Sequence, residues 1–258
     1  MNGKQLKNSI LQWAIQGHLV PQVASEGSAA ELLARIQAEK QQLVAEGKLK
    51  PKDLTASTIT RTDDNHYLET ITTGTGKKAS SVTADITEQI PFDIPASWQW
   101  VRLGYIFTHN TGKALNQSNK SGKAFPYITT SNLYWDKFEL NDLKSMPFTE
   151  AEIDKCTVTK GDLLVCEGGE IGRAAIWDYD YDMKIQNHIH RLRAYYPLCT
   201  RYFYYLFFLY KNSGLIGGKG IAIQGLSSGA LHSILLPLPP LAEQQRIVQQ
   251  IETLFAKL

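Results

Sequence analysis

Apolar residues recur at steps of three and four near both ends of the chain and in short β-branched runs between them, so helices are expected to flank strands. Near the N-terminus Leu6, Ile10, Trp13 and Ala14 fall on one helical face, and Gly17 followed by Pro21 ends the pattern. A second helix opens at Ser28-Ala-Ala-Glu31, where the serine hydroxyl can cap the third helical N–H and the glutamate can reach back. Leu32, Leu33, Ile36, Leu43 and Val44 then line one side, and Gly47 is placed to close it. Together these read as a helical hairpin presenting an apolar stripe. At the other end Leu241, Val248, Ile251, Phe255 and Leu258, with Gln244 as one polar place, form a heptad seam. A helix about 28 Å long with that seam exposed is expected to pair with another helix. The five apolar residues are therefore candidate subunit-interface positions.

Between the ends the texture changes twice. Residues 50–90 carry ten threonines among Gly, Ser and Asp, from Thr55 to Thr87, with little periodicity, and read as a linker or irregular extension. From Ile90 short runs mark candidate strands at Gln99–Leu103, Phe125–Thr130, Leu163–Cys166, Ala174–Trp177, Ile185–Arg193 and Ile221–Ile223. Turn signals at Lys160-Gly161-Asp162, Gly168-Gly169 and Gly217-Gly218 separate them. Tyr202 to Tyr210 is aromatic almost throughout and reads as a buried helix. The predicted organisation is a helical region over 1–49, a Thr-rich linker over 50–90, a mixed α/β domain over 91–238 and a C-terminal coiled-coil-type helix over 239–258.

Composition adds limits. The chain has 258 residues, 43% of them hydrophobic and 20% charged, enough for a core of its own. No run is long and apolar enough to cross a bilayer, and the first ten residues lack the apolar core of a secretory signal, so a cytoplasmic location is expected. Cys156, Cys166 and Cys199 form neither a disulfide framework nor a C-x-x-C zinc pair. The net charge of +2 announces no polyanion partner, but its distribution does more. No Asp or Glu occurs from Met183 to Ala242, a stretch holding Lys184, Arg191, Arg193, Arg201, Lys211 and Lys219. A second acid-free stretch, His109 to Lys123, carries Lys113, Lys120 and Lys123. Folded onto one face, the two would make the positive potential that a phosphate backbone needs; scattered, they are an ordinary solvated surface.

A search for catalysis finds no complete centre. There is no Asn/Asp-Pro-Pro-Tyr/Phe tetrapeptide to hold a target adenine and no Gly-rich cofactor loop after a strand. Asp142-x-Lys144 and Asp182-x-Lys184 lack the rest of a nuclease site, and Lys219 is followed by Gly220, so there is no P-loop. His188 and His190 would share a strand face but have no third ligand nearby, so no metal is expected. A thiol nucleophile at Cys166 near these histidines is the enzyme alternative, and a structural adaptor without sequence readout is a third reading.

Several stretches resemble specificity subunits of type I restriction-modification systems. They are Leu6 to Pro21 with Ala30 to Lys40, Ile94-Pro-Ala-Ser-Trp-Gln-Trp-Val-Arg-Leu-Gly104, Gly161-Asp-Leu-Leu-Val165, Gly169-Glu-Ile-Gly-Arg173, Asn187-His-Ile-His-Arg-Leu-Arg193, and Leu236-Pro-Leu-Pro-Pro-Leu-Ala-Glu-Gln-Gln-Arg-Ile-Val248. The last is the most specific, because a recognition domain running into Pro-Pro-Leu-x-Glu-Gln and then a heptad helix is hard to obtain by chance. The resemblance implies a non-catalytic chain that reads double-stranded DNA. It also implies a partner modification subunit that brings S-adenosylmethionine, no cofactor on this chain, and a restriction subunit that cuts. The family pattern has two recognition domains and this chain has one, so a homodimer through the helices is the natural repair.

Base reading needs Asn, Gln, Arg or Lys on exposed loops, and positioning needs cations. The candidate DNA-binding residues are Lys113, Asn116, Gln117, Ser118, Lys120 and Lys123 in one segment, and Gln186, Asn187, His188 and Arg191 in a second. Lys219 and Gln224 in a glycine-rich third segment join them, as does Arg173. Glu167 and Glu170, flanking Gly168-Gly169, could accept from cytosine N4, but a structural turn is the preferred reading.

Overall fold

The computed structural model describes residues 3–74, 79–115, 121–216 and 226–258. In chain order its elements begin with α1 (Gly3–Ile15), α2 (Ala29–Ala45), β1 (Ala56–Arg61), β2 (Tyr67–Thr73), β3 (Ser80–Asp85), β4 (Gln99–Arg102), α3 (Leu103–Ile106), β5 (Phe107–Thr111) and β6 (Lys123–Ile128). There follow β7 (Leu133–Tyr134), β8 (Lys137–Phe138), β9 (Lys144–Phe148), α4 (Glu150–Cys156), β10 (Thr157–Val158), β11 (Leu163–Cys166) and β12 (Ala174–Ile176). The chain continues with β13 (Met183–Ile185), β14 (Ile189–Ala194), α5 (Thr200–Asn212), α6 (Ser228–His232), β15 (Leu235–Leu238) and α7 (Leu241–Phe255). The expected class, mixed α/β with helices at both ends, holds.

The chain divides into two units, and the division departs from the sequence blocks. The first comprises Met1–Ile106, Tyr195–Cys199 and His232–Leu258; the second comprises Phe107–Ala194 and Thr200–Leu231. The block 91–238 is therefore not one body. Its flanking strands β4 and β15 pair antiparallel with each other inside the first unit. Sequence periodicity marks such strands without naming their partners.

In the first unit α1 packs against α7. Lys7, near the start of α1, stands 5.1 Å from the ring centroid of Phe255 at the end of α7, so the helices run antiparallel. The buried face of α1 is Leu11, Ala14 and Ile15, and Trp13, on the expected apolar stripe, is 61% exposed. Helix α7 buries Ile247, Val248 and Ile251 together with Glu243 and Gln244. This corrects the expectation of an exposed seam, because Val248 and Ile251 are covered within their own unit. Leu241 and Phe255 are half-buried, and only Leu258 of the five is exposed. A heptad pattern specifies an apolar face but not whose helix covers it.

The Pro-Pro-Leu-Ala-Glu-Gln segment is a structural latch. Gln244 donates from Nε2 to the Pro239 carbonyl at 2.9 Å and accepts from the Cys199 amide at 3.1 Å. Gln22 donates to the buried Glu243 carboxylate at 2.6 Å, and Arg246 grips both oxygens of Glu26 at 2.7 Å. Helix α2 carries the capping box read from sequence: Ser28 Oγ accepts from the Glu31 amide, and the Glu31 carboxylate accepts from the Ser28 amide. It buries Lys40, whose amine donates to the Thr55 carbonyl and lies over the Tyr195 ring; burial pushes this amine down to about 8, against the opposing charge of Asp53.

The Thr-rich stretch is not a linker. Its strands β1, β2 and β3 form an antiparallel sheet in which Thr70 pairs with Thr83 and Thr72 with Ser81 through their hydroxyls. Threonine favours strands, but β3 is exposed along its whole length and so shows no apolar alternation. The sheet is held by Ile59, Tyr67, Ile86 and Trp100, which form one apolar cluster.

The second unit has two four-stranded sheets, β12-β11-β14-β5, wholly antiparallel, and β10-β13-β6-β9, in which β13 and β6 run parallel, plus the hairpin β7-β8. Ile128, Leu133, Phe138, Leu164, Trp177 and Ile185 belong to its main core. The aromatic helix α5 buries Tyr202, Phe203, Tyr204, Phe207 and Tyr210, as expected of a core helix. The single strand expected over Ile185–Arg193 is two strands in different sheets, β13 and β14, with Gln186–His188 as the turn between them. The strand expected at Ile221–Ile223 lies outside the described residues.

Candidate nucleic-acid interface

The turn between β13 and β14 organises one edge of the second unit. Lys113 forms a parallel β-bridge with Gln186; its amide donates to the Ile185 carbonyl at 3.0 Å, and its own carbonyl accepts from the Asn187 amide at 3.1 Å. Only glycine permits this approach at the preceding position, since a Cβ on Gly112 would sit 2.0 Å from the Ile185 carbonyl oxygen. On the other side of the turn the His188 carbonyl accepts from the Glu167 amide at 2.9 Å, which seats the loop Glu167–Arg173 beside it. Gly172, at φ +83°, leaves room for Ile216, to which a Cβ there would come within 2.7 Å. Residues from four separated parts of the sequence thus converge: Lys113, Gln186–His188, Glu167–Arg173 and Ile216.

The nominated residues fall into three groups. Asn116, Gln117, Ser118, Lys120, Lys219 and Gln224 lie outside the described residues. Lys123 is exposed and stands 5.3 Å from the Phe125 ring centroid; Gln186 and Asn187 are half-buried, and His188 is exposed, with Nδ1 3.8 Å from the Glu167 carboxylate. The remaining three cations, Lys113, Arg173 and Arg191, are engaged by the protein itself, which counts against their reading as DNA-contacting residues. The buried Lys113 amine donates to the Glu152 carboxylate at 2.6 Å and the Pro147 carbonyl at 2.7 Å. Arg191 is buried and donates to the Asp154 and Thr157 carbonyls. Arg173 donates to the Thr130 carbonyl at 2.6 Å and pairs with Glu170 at 3.4 Å. Counting cations along a sequence does not reveal such internal partners.

Other residues on this edge were not nominated as DNA contacts. Thr129, Ser131 and Asn132 form a turn in which the Asn132 side chain accepts from the Thr129 amide at 2.9 Å. Tyr134, 44% exposed, lies over the Arg173 guanidinium at 5.2 Å, and Trp135 donates its indole N–H to Glu170 at 2.9 Å. The available signal was the Tyr134-Trp135 pair just after the run Thr129-Thr130-Ser131-Asn132, polar residues on a strand end.

The enzyme alternative loses its parts. Burial pushes the Cys166 thiol up, against the nearby Arg173, which disfavours the nucleophilic thiolate. His188 and His190 do not share a face, because His188 precedes β14 and is exposed while His190 is fully buried. The His190 Nε2 lies 2.6 Å from the Leu226 carbonyl, which can only accept, so Nε2 carries a proton; Nδ1 meets His109 Nε2 at 2.7 Å. Among the described residues no group of three or more His, Cys, Asp or Glu is placed to hold a metal, and no helix is long and apolar enough to cross a membrane.

Comparison with known proteins places this geometry in a family. Residues 95–258 match the family model described as the type I restriction modification DNA specificity domain. The chain is 24% identical to the EcoAI specificity subunit of a type I restriction enzyme from Escherichia coli, over 96% of this chain and 39% of that protein. It is also 24% identical to the EcoEI specificity subunit of Escherichia coli, over 97% and 40%. The chain therefore spans about two fifths of the length of the curated relatives it matches. A chain solved in a study of complex assembly and conformational transition of the type I R-M system shares its fold, with a TM-score of 0.50 and 20% identity over 65% of this chain and 40% of that one. With the match covering well over half its residues, the chain belongs to the type I restriction modification DNA specificity domain family.

Proposed function

We propose that the chain reads one half of a DNA target for a type I restriction-modification assembly and catalyses neither methylation nor cleavage. The observation that carries this is the family match over residues 95–258, which contains the whole edge where Lys113, Gln186–His188 and Glu167–Arg173 meet. Donors and acceptors on turns backed by two sheets suit base reading, and Lys123 supplies an exposed cation for phosphate. In this reading a modification subunit holds S-adenosylmethionine, this chain holds none, and a restriction subunit completes the complex in the cytoplasm. In this reading a second copy of the chain, related by a closed two-fold axis, supplies the other half-site.

The test is to combine the chain with an adenine methyltransferase subunit of this system class and sequence the methylated positions. The expected result is methylation confined to a two-fold palindrome split by a spacer. Methylation that is the same with and without the chain would remove the reading. A continuous or asymmetric site would remove the second copy alone.

A further inference from the structure

The loop Glu167–Arg173 has its charges arranged in an order that phosphate binding does not explain. The cation is inside and the anion outside: the Arg173 side chain is 14% exposed and that of Glu170 is 42% exposed. Arg173 is fixed at its far end by the Thr130 carbonyl and covered by Tyr134. Glu170 Oε1 accepts from the Trp135 indole at 2.9 Å, and Oε2 faces Arg173 at 3.4 Å. Trp135 is itself held edge-on against Phe208, with ring centroids 5.0 Å apart. The loop is shaped by left-handed glycines, Gly169 at φ +68° and Gly172 at φ +83°, and closed by the Arg173 amide donating to the Glu170 carbonyl at 3.0 Å. A carboxylate has about four lone-pair sites, so these two contacts leave about two of them for a ligand on this exposed side chain. What is presented is an immobilised acceptor whose charge is offset from behind, so that it can approach a polyanion.

We propose that Glu170 is a base-reading residue that accepts a hydrogen bond from the exocyclic amine of cytosine or adenine in the major groove, with Trp135 and Arg173 as its positioning residues. These amines are the donors that base pairs offer there, and acidic side chains pair with cytosine N4 in this way. The proposal rests on the DNA-reading function above and changes the role of Arg173, which acts through Glu170 rather than on DNA directly.

The test is selection of bound duplexes from a randomised double-stranded library by the full chain, followed by sequencing. The native chain is expected to fix one position as C or A, and the base found tells cytosine from adenine. Glu170→Ala should lower the preference at that position by roughly 10-fold or more and leave the other positions and the salt dependence as they were. Trp135→Phe keeps the ring against Phe208 but removes the donor, so it should weaken the same position partially with thermal stability unchanged. A merely structural role would lower stability and flatten every position alike, which overturns the proposal. An unchanged site in Glu170→Ala overturns it while leaving DNA reading intact. A native chain that selects no sequence overturns both.

Discussion

Arg102 donates from Nε and a terminal nitrogen to the two carboxylate oxygens of Glu69, at 3.1–3.2 Å and 2.7 Å, and so fastens the exposed sheet β1–β3 to strand β4. Ser57 and Gln89 join the network, and the Arg102 and Glu69 side chains are only 14% and 6% exposed. Removing one partner strands the other in a poorly hydrated place. Glu69→Ala is expected to destabilise the first unit by about 3 kcal/mol, measured by denaturant unfolding. Burial alone would raise the Glu69 pKa, but the hydrogen bonds from Arg102 and Ser57 and the Arg102 charge outweigh it, and the net shift is downward. The pair's stabilisation is therefore present above the ordinary carboxylate value of 4.5 and is lost as pH falls through the depressed one. Thermal scans from pH 6 to about pH 3 should show native stability falling faster than that of Glu69→Gln.

Glu243 has the opposite sign. Burial pushes its carboxyl up, despite the hydrogen bond from Gln22 and the charge of Arg246. The folded chain then holds a proton more tightly than the unfolded chain, so a penalty grows as pH rises above 4.5. Glu243→Gln keeps an acceptor for Gln22 and removes the charge. Its melting temperature is expected to match or exceed the native value at pH 8 and to lose that advantage near pH 5; an advantage that grew toward acid would contradict the assignment.

Two lysines from one acid-free stretch should behave differently. Lys123→Ala removes an exposed cation and is expected to flatten the slope of log affinity against log salt by about 0.9, with folding unaffected. Lys113→Ala removes a buried amine from Glu152 and Pro147 and is expected to lower stability by about 3 kcal/mol. Salt titrations and melting curves on both variants separate the roles.

Self-association should be tested at exposed positions. Replacing Val248 and Ile251 by Asp puts two charges where the side chains are 8% and 1% exposed, so loss of helical signal and unfolding of the first unit are expected. Trp13→Ser with Leu258→Ser leaves that core intact. A fall in sedimentation-derived mass with unchanged melting would place the contact between copies on that surface, and an unchanged mass would exclude it.

Much of the fold was legible because local rules and tertiary packing agree. The Ser28/Glu31 capping box, strands β4, β11 and β12, and helix α5 lie within a residue or two of their expected places. Illegible features depended on partners far along the chain. The Thr-rich sheet has an exposed strand with no apolar face to betray it, and the stripe of α1 did not show that Leu11, Ala14 and Ile15 turn inward while Trp13 stays exposed, because steps of three and four define a face without saying which flank is covered. At the interface Gln186, Asn187 and His188 were identifiable as polar candidates for base contact, whereas the internal roles of Lys113, Arg173 and Arg191 required knowledge of which carbonyls and carboxylates lie behind them.

The latch between Gln22 and Glu243 also sets an order of events during synthesis. The residues are 221 positions apart, and the Arg246–Glu26 pair spans 220. Helix α1 thus emerges from the ribosome well ahead of its partner α7, while Phe107–Ala194 can collapse on contacts of shorter range. During that interval the face of Leu11, Ala14 and Ile15 lacks the packing that α7 provides, and a nascent chain stalled before residue 241 should be held by chaperones through this helix.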